Sequence, residues 1–322
     1  MKKRTMPLIL LALLFINFSP CFAQVKVLGN PNSIVYDMAF SEGGSQLAAT
    51  ENKRINLFEL SSAKAVKTFE GAHSGSVLAV DISRDSSKIV SGGKDGLVVL
   101  WDIQSERPLR TIRHTAAVTV AKFIPEEDVF IFGGADGKLA VYNYREDKQL
   151  PGLSLHTADI TALALSADGK TAASADAAKN IFLWDTKTAR LLNTLPKAKK
   201  WVRALHFNRS GETLYAAGDD TRVTYYHIGD SLADFHRLQK GRGWVLSLDQ
   251  MNNISGEEII VLSRISGLVQ VVTPSGGYKY KAPRPVHKVL FMPQQKVFIG
   301  LVVATRGKGI LIVEGKDMKV TN

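Results

Sequence analysis

The sequence predicts an all-β fold, a seven-bladed β-propeller of four-stranded antiparallel blades, and two observations lead to this prediction. Short apolar strands alternate with turns rich in Gly, Asp and Pro along most of the 322 residues, and this pattern repeats about every 42 residues. Units of four strands without helical periodicity cannot bury their own faces, so they must stack radially. A repeat of about 40–45 residues is the length typical of one propeller blade.

Two marker positions define the repeat. The apolar residue that begins the first strand recurs at spacings of 42, 41, 42, 42, 43 and 41 residues, at Val35, Val77, Val118, Ile160, Val202, Val245 and Val286. A residue near the end of the third strand recurs in parallel, at Phe58, Trp101, Tyr142, Trp184, Tyr226, Val272 and Val313. We therefore predict one domain over residues 24–322, with blades near 34–71, 72–113, 114–155, 156–197, 198–240, 241–281 and 282–322.

The N-terminal segment has the layout of a secretory signal peptide. Basic residues at 2–4 precede an apolar run over 7–18 that is short for a membrane span, and Cys21 and Ala23 suit a cleavage site after Ala23. We expect residues 1–23 to be removed and the mature chain to be exported to a bacterial periplasm. An uncleaved anchor and a lipoprotein acylated at Cys21 are the alternatives. No later apolar run approaches transmembrane length.

Composition limits the chemistry and the partners. A hydrophobic content of 45% indicates a folded chain, and a single Cys excludes a disulfide framework and a thiolate metal site. The net charge is +11, and removal of residues 1–23 would lower it to +8. Export argues against nucleic acid as a partner, so the basic surplus favours acidic proteins, anionic glycans or the membrane surface, with simple solubility as the alternative.

Two segments resemble the WD40 repeat family, namely SGGKDGLVVLWD at 91–102 and NIFLWD at 180–185. In that family a His before the first strand, a Ser or Thr in the second, an Asp in the following turn and a Trp in the third form a buried hydrogen-bonded set. The resemblance implies such a structural network in blade two, from His73, Ser91, Asp95 and Trp101. The histidine would then serve architecture rather than catalysis.

Other blades match this set in part. A spacing of 28 residues from His to the aromatic residue occurs three times, in His73/Trp101, His114/Tyr142 and His156/Trp184. Blade three keeps Asp136 but has Phe132 at the Ser position. Blade four keeps Ser174 but has Ala178 at the Asp position, and blade five keeps Asp220 and Tyr226 but has Ala198 at the His position. We expect incomplete networks there, and apolar packing alone in blades one, six and seven.

A propeller must join its first and last blades, and two segments could supply the closing strand. Residues 24–29 include the β-like run 25–28, which could become the outer strand of blade seven. The alternative donor is 317–321. Either choice would cover an otherwise exposed sheet edge.

The sequence predicts no enzyme, cofactor or metal. It contains no Gly-rich phosphate loop and no His-Glu-x-x-His motif, and the Asp-Gly and Ser-Gly pairs recur where hairpin turns need them. Propeller lactonases bind metal through carboxylates in the central channel, which leaves a channel hydrolase as an alternative. The channel mouth would be mainly basic, with Asp159 and Asp219 against Lys94, Lys199, Arg242 and Arg306.

The loops before the first strands of blades five and six differ from the others. They combine tryptophan with cations, the residues enriched at protein interfaces, and blades two to four present mainly Ser, Thr and Ala. We predict a partner-binding site from Trp201, Trp244, Lys199, Lys200, Arg203, Arg242 and Arg306. The alternative is that both indoles fill space between blades. The predicted function is an envelope scaffold for protein–protein interaction, with a glycan- or small-ligand-binding module as the alternative.

Overall fold

A computed structural model of the protein describes residues 26–153, 155–229, 235–238, 243–252, 256–274, 276–293, 300–314 and 319–321. These residues form 29 β-strands. No helix occurs among them, and so none of the described segments offers a helix able to cross a membrane. The signal peptide predicted for residues 1–23 lies outside the described residues.

The strands follow one another as hairpins. Blades one to three comprise β2(Met38–Phe40), β3(Gln46–Glu51), β4(Arg54–Glu59), β5(Lys64–Phe69); β6(Val77–Ile82), β7(Lys88–Gly93), β8(Leu97–Asp102), β9(Pro108–Arg113); and β10(Val118–Phe123), β11(Val129–Gly134), β12(Leu139–Asn143), β13(Lys148–Leu153). Blades four and five comprise β14(Ile160–Leu165), β15(Thr171–Asp176), β16(Ile181–Asp185), β17(Arg190–Thr194); and β18(Val202–Phe207), β19(Thr213–Gly218), β20(Val223–His227), β21(Phe235–Leu238). Blades six and seven comprise β22(Val245–Asn252), β23(Glu258–Arg264), β24(Leu268–Thr273), β25(Gly276–Lys281); and β26(Val286–Phe291), β27(Gly300–Thr305), β28(Ile310–Glu314).

The strands pair into seven separate antiparallel sheets, which confirms the predicted fold class. Six sheets have four strands, and the sheet of blade six has a fifth, β29(Lys319–Thr321). In every blade except the first, the first strand shifts register against the second near its start, as between Val77 and Ala79. A bulge of this kind increases strand twist, which suits the narrow inner end of a blade.

The hydrophobic core is divided among the interfaces between blades. Seven clusters of buried apolar side chains are present among the described residues, and each one joins two consecutive sheets. The cluster between blades one and two, for example, packs Phe69 against Trp101 with ring centroids 5.8 Å apart. Another cluster joins blades seven and one through Val302 and Leu47. The blades therefore form a closed ring, because every blade packs on two neighbours.

The N-terminal strand closes this ring. Strand β1(Lys26–Leu28) pairs antiparallel with β28, with Val27 opposite Leu311, and completes the sheet of blade seven. Leu28 is buried in the cluster between blades seven and one. Strand β29, in the alternative segment, instead pairs with β25 at the outer edge of blade six. The four-stranded sheet of blade seven thus combines the first described strand with β26, β27 and β28 from the C-terminal part of the chain.

The turns between second and third strands share one backbone feature in blades two to six. A residue with positive φ occurs at the same turn position in each of these blades, at Gly96, Gly137, Lys179, Thr221 and Gly267. At Gly96 a Cβ atom would lie 3.1 Å from the His114 carbonyl oxygen. The His114 N–H in turn donates to the Gly96 carbonyl at 2.7 Å. These turns therefore fix the position of the loop that leads into the next blade.

Candidate protein-binding face

Two tryptophans lie on one face of the propeller, in loops that precede first strands. Trp201 comes before β18 and Trp244 before β22. Their carbonyl oxygens each accept an N–H from the turn between the second and third strands of the same blade, from Asp219 and Ile265, both at 3.0 Å. The side chains nevertheless remain 45% and 43% exposed. The backbone of each tryptophan is thus anchored while much of the indole faces solvent.

Arg203 joins these two side chains into one cluster. Its guanidinium carbon lies 5.5 Å from the ring centroid of Trp201 and 5.0 Å from that of Trp244. The Asp219 carboxylate accepts hydrogen bonds from Arg203 Nε and, at 3.1 Å, from Nη2. Each guanidinium–indole contact contributes about 0.5–1 kcal/mol at an exposed site. We call Trp201, Arg203 and Trp244 the Trp–Arg–Trp cluster.

A buried arginine supports the loops around this cluster. The Arg264 side chain is fully buried at the end of β23 and donates from Nε to Gln270 Oε1 at 2.7 Å. Its Nη1 donates to the carbonyl oxygens of Thr221 at 3.2 Å and Gly243 at 2.9 Å. These bonds connect the turn of blade five to the residue before Trp244. Sequence reasoning missed Arg264, although an arginine at a position where blades two and three have glycine was a signal.

The other predicted members of the site have different positions. Lys199 and Lys200 are exposed and lie beside Trp201. Arg306 lies at the junction of blades seven and one, where its backbone forms a bridge with Ile34. Its backbone bonding therefore ties it to that junction and not to blades five and six. Arg242 lies outside the described residues.

Blade two contains the complete polar network. His73 Nε2 and the Trp101 indole N–H both lie 2.9 Å from Ser91 Oγ. His73 Nδ1 lies 3.2 Å from both carboxylate oxygens of Asp95, and the Ser74 N–H donates to Asp95 Oδ2 at 2.7 Å. His73, Ser91 and Trp101 are buried, so the network satisfies polar groups that water cannot reach. The network thus ties together the loop, the turn and two strands of blade two.

Blade four also has a complete network. The prediction that this network lacks a carboxylate, because Ala178 stands at the Asp position, was wrong. His156 Nε2 and the Trp184 indole N–H lie 2.6 and 2.7 Å from Ser174 Oγ. The carboxylate comes from Asp176, whose Oδ2 lies 3.0 Å from His156 Nδ1. Burial alone would raise the pKa of Asp176, but hydrogen bonds from Asn180 and His156 outweigh it and lower that pKa. Burial lowers the pKa of His156, so the imidazole is neutral at pH 7.

The end of the second strand explains this difference. In blade two this position is Gly93, where a Cβ atom would lie 2.3 Å from Asp95 Oδ1 and 2.5 Å from His73 Nδ1. In blade four the turn residue is alanine, so Asp176 can fill the same space from the strand. Blades one, six and seven also have a buried polar side chain at this position, namely Glu51, Arg264 and Thr305. The expectation of purely apolar packing in blades one, six and seven was therefore wrong.

Blade three has a partial network, as predicted from Phe132. His114 Nε2 lies 2.9 Å from Asp136 Oδ1, and the His114 ring contacts Phe132 edge-on at 5.6 Å between centroids. The Tyr142 hydroxyl does not reach this pair but donates to Asp147 in the following turn, at 2.5 Å. The tyrosine thus fixes the outer hairpin of its blade and leaves the imidazole with one partner.

The central channel holds charged side chains that bind neighbouring blades together. Three carboxylates accept an N–H from the first strand of the next blade: Asp37 from Val80 at 3.1 Å, Asp81 from Phe123 at 3.0 Å and Asp249 from Phe291 at 2.8 Å. Each also contacts a cation or an imidazole: Lys288 at 3.0 Å, Lys122 at 3.0 Å and His206 at 3.5 Å, respectively. The sequence predicted charged residues at the channel mouth, and these inner groups were not predicted.

These channel charges compensate one another. Burial alone would lower the pKa of Lys122, but Asp81 and Asp37 outweigh it and raise that pKa. Burial alone would raise the pKa of Asp37, but the positive charges of Lys288 and Lys122 outweigh burial and lower that pKa. Within the described ranges, no group of three or more His, Cys, Asp or Glu side chains is arranged to hold a metal ion. The ion pairs of the channel thus link neighbouring blades.

Two segments of the chain are similar to the repeats of a known protein family. The family model described as "WD domain, G-beta repeat" matches residues 63–102 and 148–185. The two matched segments end with the third strands of blades two and four, and so contain Trp101 and Trp184, the aromatic members of the two complete networks.

Several curated proteins are similar over much of the chain. The U3 small nucleolar RNA-associated protein 15 homolog of Xenopus tropicalis is 29% identical over 251 residues, which are 77% of this chain and 47% of that protein. THO complex subunit 3 of Arabidopsis thaliana is 27% identical over 207 residues, 64% of this chain and 65% of that protein. The serine-threonine kinase receptor-associated protein of Bos taurus is 25% identical over 287 residues, 82% of this chain and 75% of that protein. The chain thus covers less than two thirds of the length of the first two of these relatives.

Proposed function

We propose that this WD40-type propeller is a non-enzymatic scaffold that binds a protein partner through the loops of blades five and six. The observation that supports the proposal is Arg203, which lies within 5.5 Å of two indoles that remain 45% and 43% exposed. Ile265, 39% exposed, follows Arg264 in the adjoining turn and adds apolar area beside Trp244. The names of the relatives, a complex subunit among them, agree with a role in assemblies.

The cluster is prepared for binding before a partner arrives. Tryptophan and arginine dominate interface hot spots because each combines a large contact area with a directional polar group. Asp219 holds the Arg203 side chain through two hydrogen bonds, so little of its rotamer freedom remains to be lost on binding. A partner can therefore bury two indoles at low entropic cost.

The charge around the cluster favours an acidic partner. Lys199 and Lys200 are exposed next to Trp201, and the chain without residues 1–23 would carry +8. Positive charge beside an aromatic hot spot would accelerate association with an acidic surface. The envelope location follows from the signal peptide expected over residues 1–23.

The test is the capture of envelope proteins by immobilised wild-type and variant protein, with cross-linking and mass spectrometry to identify a stoichiometric partner. We expect Trp244→Ala and Trp201→Ala each to weaken partner binding by about 30-fold or more, the loss of roughly 2 kcal/mol typical of a hot-spot residue. Leu192→Ala is the matched control, because Leu192 is 54% exposed on the outer strand of blade four.

Unfolding curves of each variant separate recognition from stability. Equal retention of the partner by wild-type protein and by folded Trp244→Ala would contradict the proposed face. If only glycans or small molecules bind, and the tryptophan variants abolish that binding, the same face serves a ligand-binding module instead. Metal-dependent hydrolysis that survives both substitutions would favour the channel hydrolase.

A further inference from the structure

A cavity of about 180 Å³ lies in blade five next to Trp201. Ala198, Ala216, Asp220 and Tyr226 line it, and Lys199 and Lys200 lie beside its mouth. The first four residues occupy the positions that His73, Ser91, Asp95 and Trp101 hold in blade two. The cavity is therefore the place where a histidine network would be.

The backbone around this cavity is the same as in blades that have the histidine. The Ala198 N–H donates to the carbonyl of Lys179, the residue with positive φ in the preceding turn, at 3.0 Å. His114 makes the matching bond to Gly96 at 2.7 Å. The loop has thus kept its position although an imidazole is missing, and the chain has not collapsed into the space.

The carboxylate that would bind the imidazole is still present. Asp220 Oδ1 accepts the Arg222 N–H at 3.2 Å, which is the bond that Asp95 makes with Leu97 at 3.1 Å. In blade two both oxygens of Asp95 also face His73 Nδ1. Among the described residues no imidazole takes that place beside Asp220.

We propose that the cavity of blade five binds an imidazole ring, supplied by a histidine side chain of the partner held at the Trp–Arg–Trp cluster. The partner in this statement rests on the proposed function. The volume suits the ring, because a cavity of about 150 Å³ accepts benzene. The ligand is the neutral ring, since Lys199 and Lys200 at the mouth disfavour a further cation and the carboxylate accepts an N–H.

Free imidazole at pH 8, where the ring is neutral, tests the cavity in the full chain. We expect binding with a Kd of about 1 mM, a rise in unfolding temperature and shifts of the Ala198 and Ala216 methyl resonances in NMR spectra. Tetrahydrofuran, a ring of similar size without an N–H donor, should bind at least tenfold more weakly. Ala198→His fills the cavity from within and should abolish imidazole binding.

Three further variants make the test decisive. Ala198→Leu fills the same space without nitrogen atoms and should also abolish binding. Asp220→Asn should weaken it about tenfold. In blade two, His73→Ala creates the matching cavity and serves as a positive control, because added imidazole should restore part of the lost stability.

Two results would overturn the proposal. One is imidazole binding by His73→Ala but not by wild-type protein, which would mean that the natural cavity holds water only. The other is unchanged imidazole binding by Ala198→Leu, which would place the ring elsewhere. These measurements need no partner, so their failure is distinct from failure of the proposed function. Once a partner is known, Ala198→Leu should weaken its capture about tenfold, as should replacement of the inserted histidine by alanine.

Discussion

The residue at the end of the second strand gives each blade its own pattern of buried hydrogen bonds. Glycine allows a His–Asp pair in blade two, Asp176 replaces the turn carboxylate in blade four, and Arg264 binds two loop carbonyls in blade six. Removal of one partner from such a set leaves a buried group unpaired, at a cost of about 1–3 kcal/mol. These residues therefore have large effects on stability without contact to any ligand.

His156 makes part of this stability dependent on pH. Burial lowers its pKa from the ordinary 6.5. As the pH falls through 6.5, the unfolded chain binds a proton that the folded chain does not, so the free energy of unfolding decreases. The stabilisation that Asp176 gains from its lowered pKa is present above 3.8 and is lost only below that pH. Between pH 7 and 5 the change thus comes from histidine.

We expect His156→Gln to reduce the dependence of unfolding free energy on pH in this range. The slope should fall by up to about 1.4 kcal/mol per pH unit, the value for one proton. Urea unfolding of wild-type and variant protein at pH 7, 6 and 5 measures it. Burial also lowers the pKa of His206 and His287, so the variant should retain a residual slope. An identical slope in both proteins would show that His156 binds its proton equally well in the folded and the unfolded chain.

At the scale of elements, several turns between second and third strands contain a residue with positive φ, a conformation that residues other than glycine tolerate poorly. Thr221 has φ of 66° in the turn of blade five, where blades two, three and six have glycine. A β-branched residue in this region is strained, by roughly 1–2 kcal/mol. The strained turn lies between Asp219, which binds Arg203, and Val223 of β20. Strain of this kind is often found near binding sites.

Thr221→Gly should therefore stabilise the protein. Relief of strain exceeds the extra backbone entropy of glycine, about 0.5–1 kcal/mol, so we expect a net gain of up to about 1 kcal/mol in urea unfolding. Gly96→Ala in blade two is the opposite control, because its Cβ would lie 3.1 Å from the His114 carbonyl oxygen. A loss of stability in Thr221→Gly would show that the threonine side chain makes contacts that outweigh the strain.

The elements and the whole ring were predictable from the sequence, but much of the polar bonding was not. The apolar residue that begins each first strand recurs every 41–43 residues, because every blade repeats the same packing. The roles of Asp176 and Arg264 were not predicted from the sequence. A polar side chain two or three residues before the expected network position can fill the same space in the folded blade. The contact of Arg203 with both indoles depends on two blades that lie 43 residues apart in the chain, and the channel carboxylates act between blades.

At the scale of the whole molecule, stability depends on the contact between the last blade and the first. Strand β1 completes blade seven, and Leu28, 1% exposed, packs in the cluster that blades seven and one share. Because each blade packs on two neighbours, loss of this seam would expose one face of both. Channel carboxylates link successive blades elsewhere, and Lys288 with Asp37 at 3.0 Å does so here.

Leu28→Ala should consequently lower the free energy of unfolding by about 2–5 kcal/mol, the cost of a cavity at a fully buried leucine. Val27→Ala is the matched control in the same strand, since Val27 is 49% exposed and should change stability by less than about 0.5 kcal/mol. Hydrogen exchange locates the effect: in Leu28→Ala, amides of β28 and β3 should exchange faster, whereas those of β15 in blade four should keep their protection. Equal stability of the two variants would mean that β1 lies on the ring without closing it, and that the contacts of blades seven and one suffice by themselves.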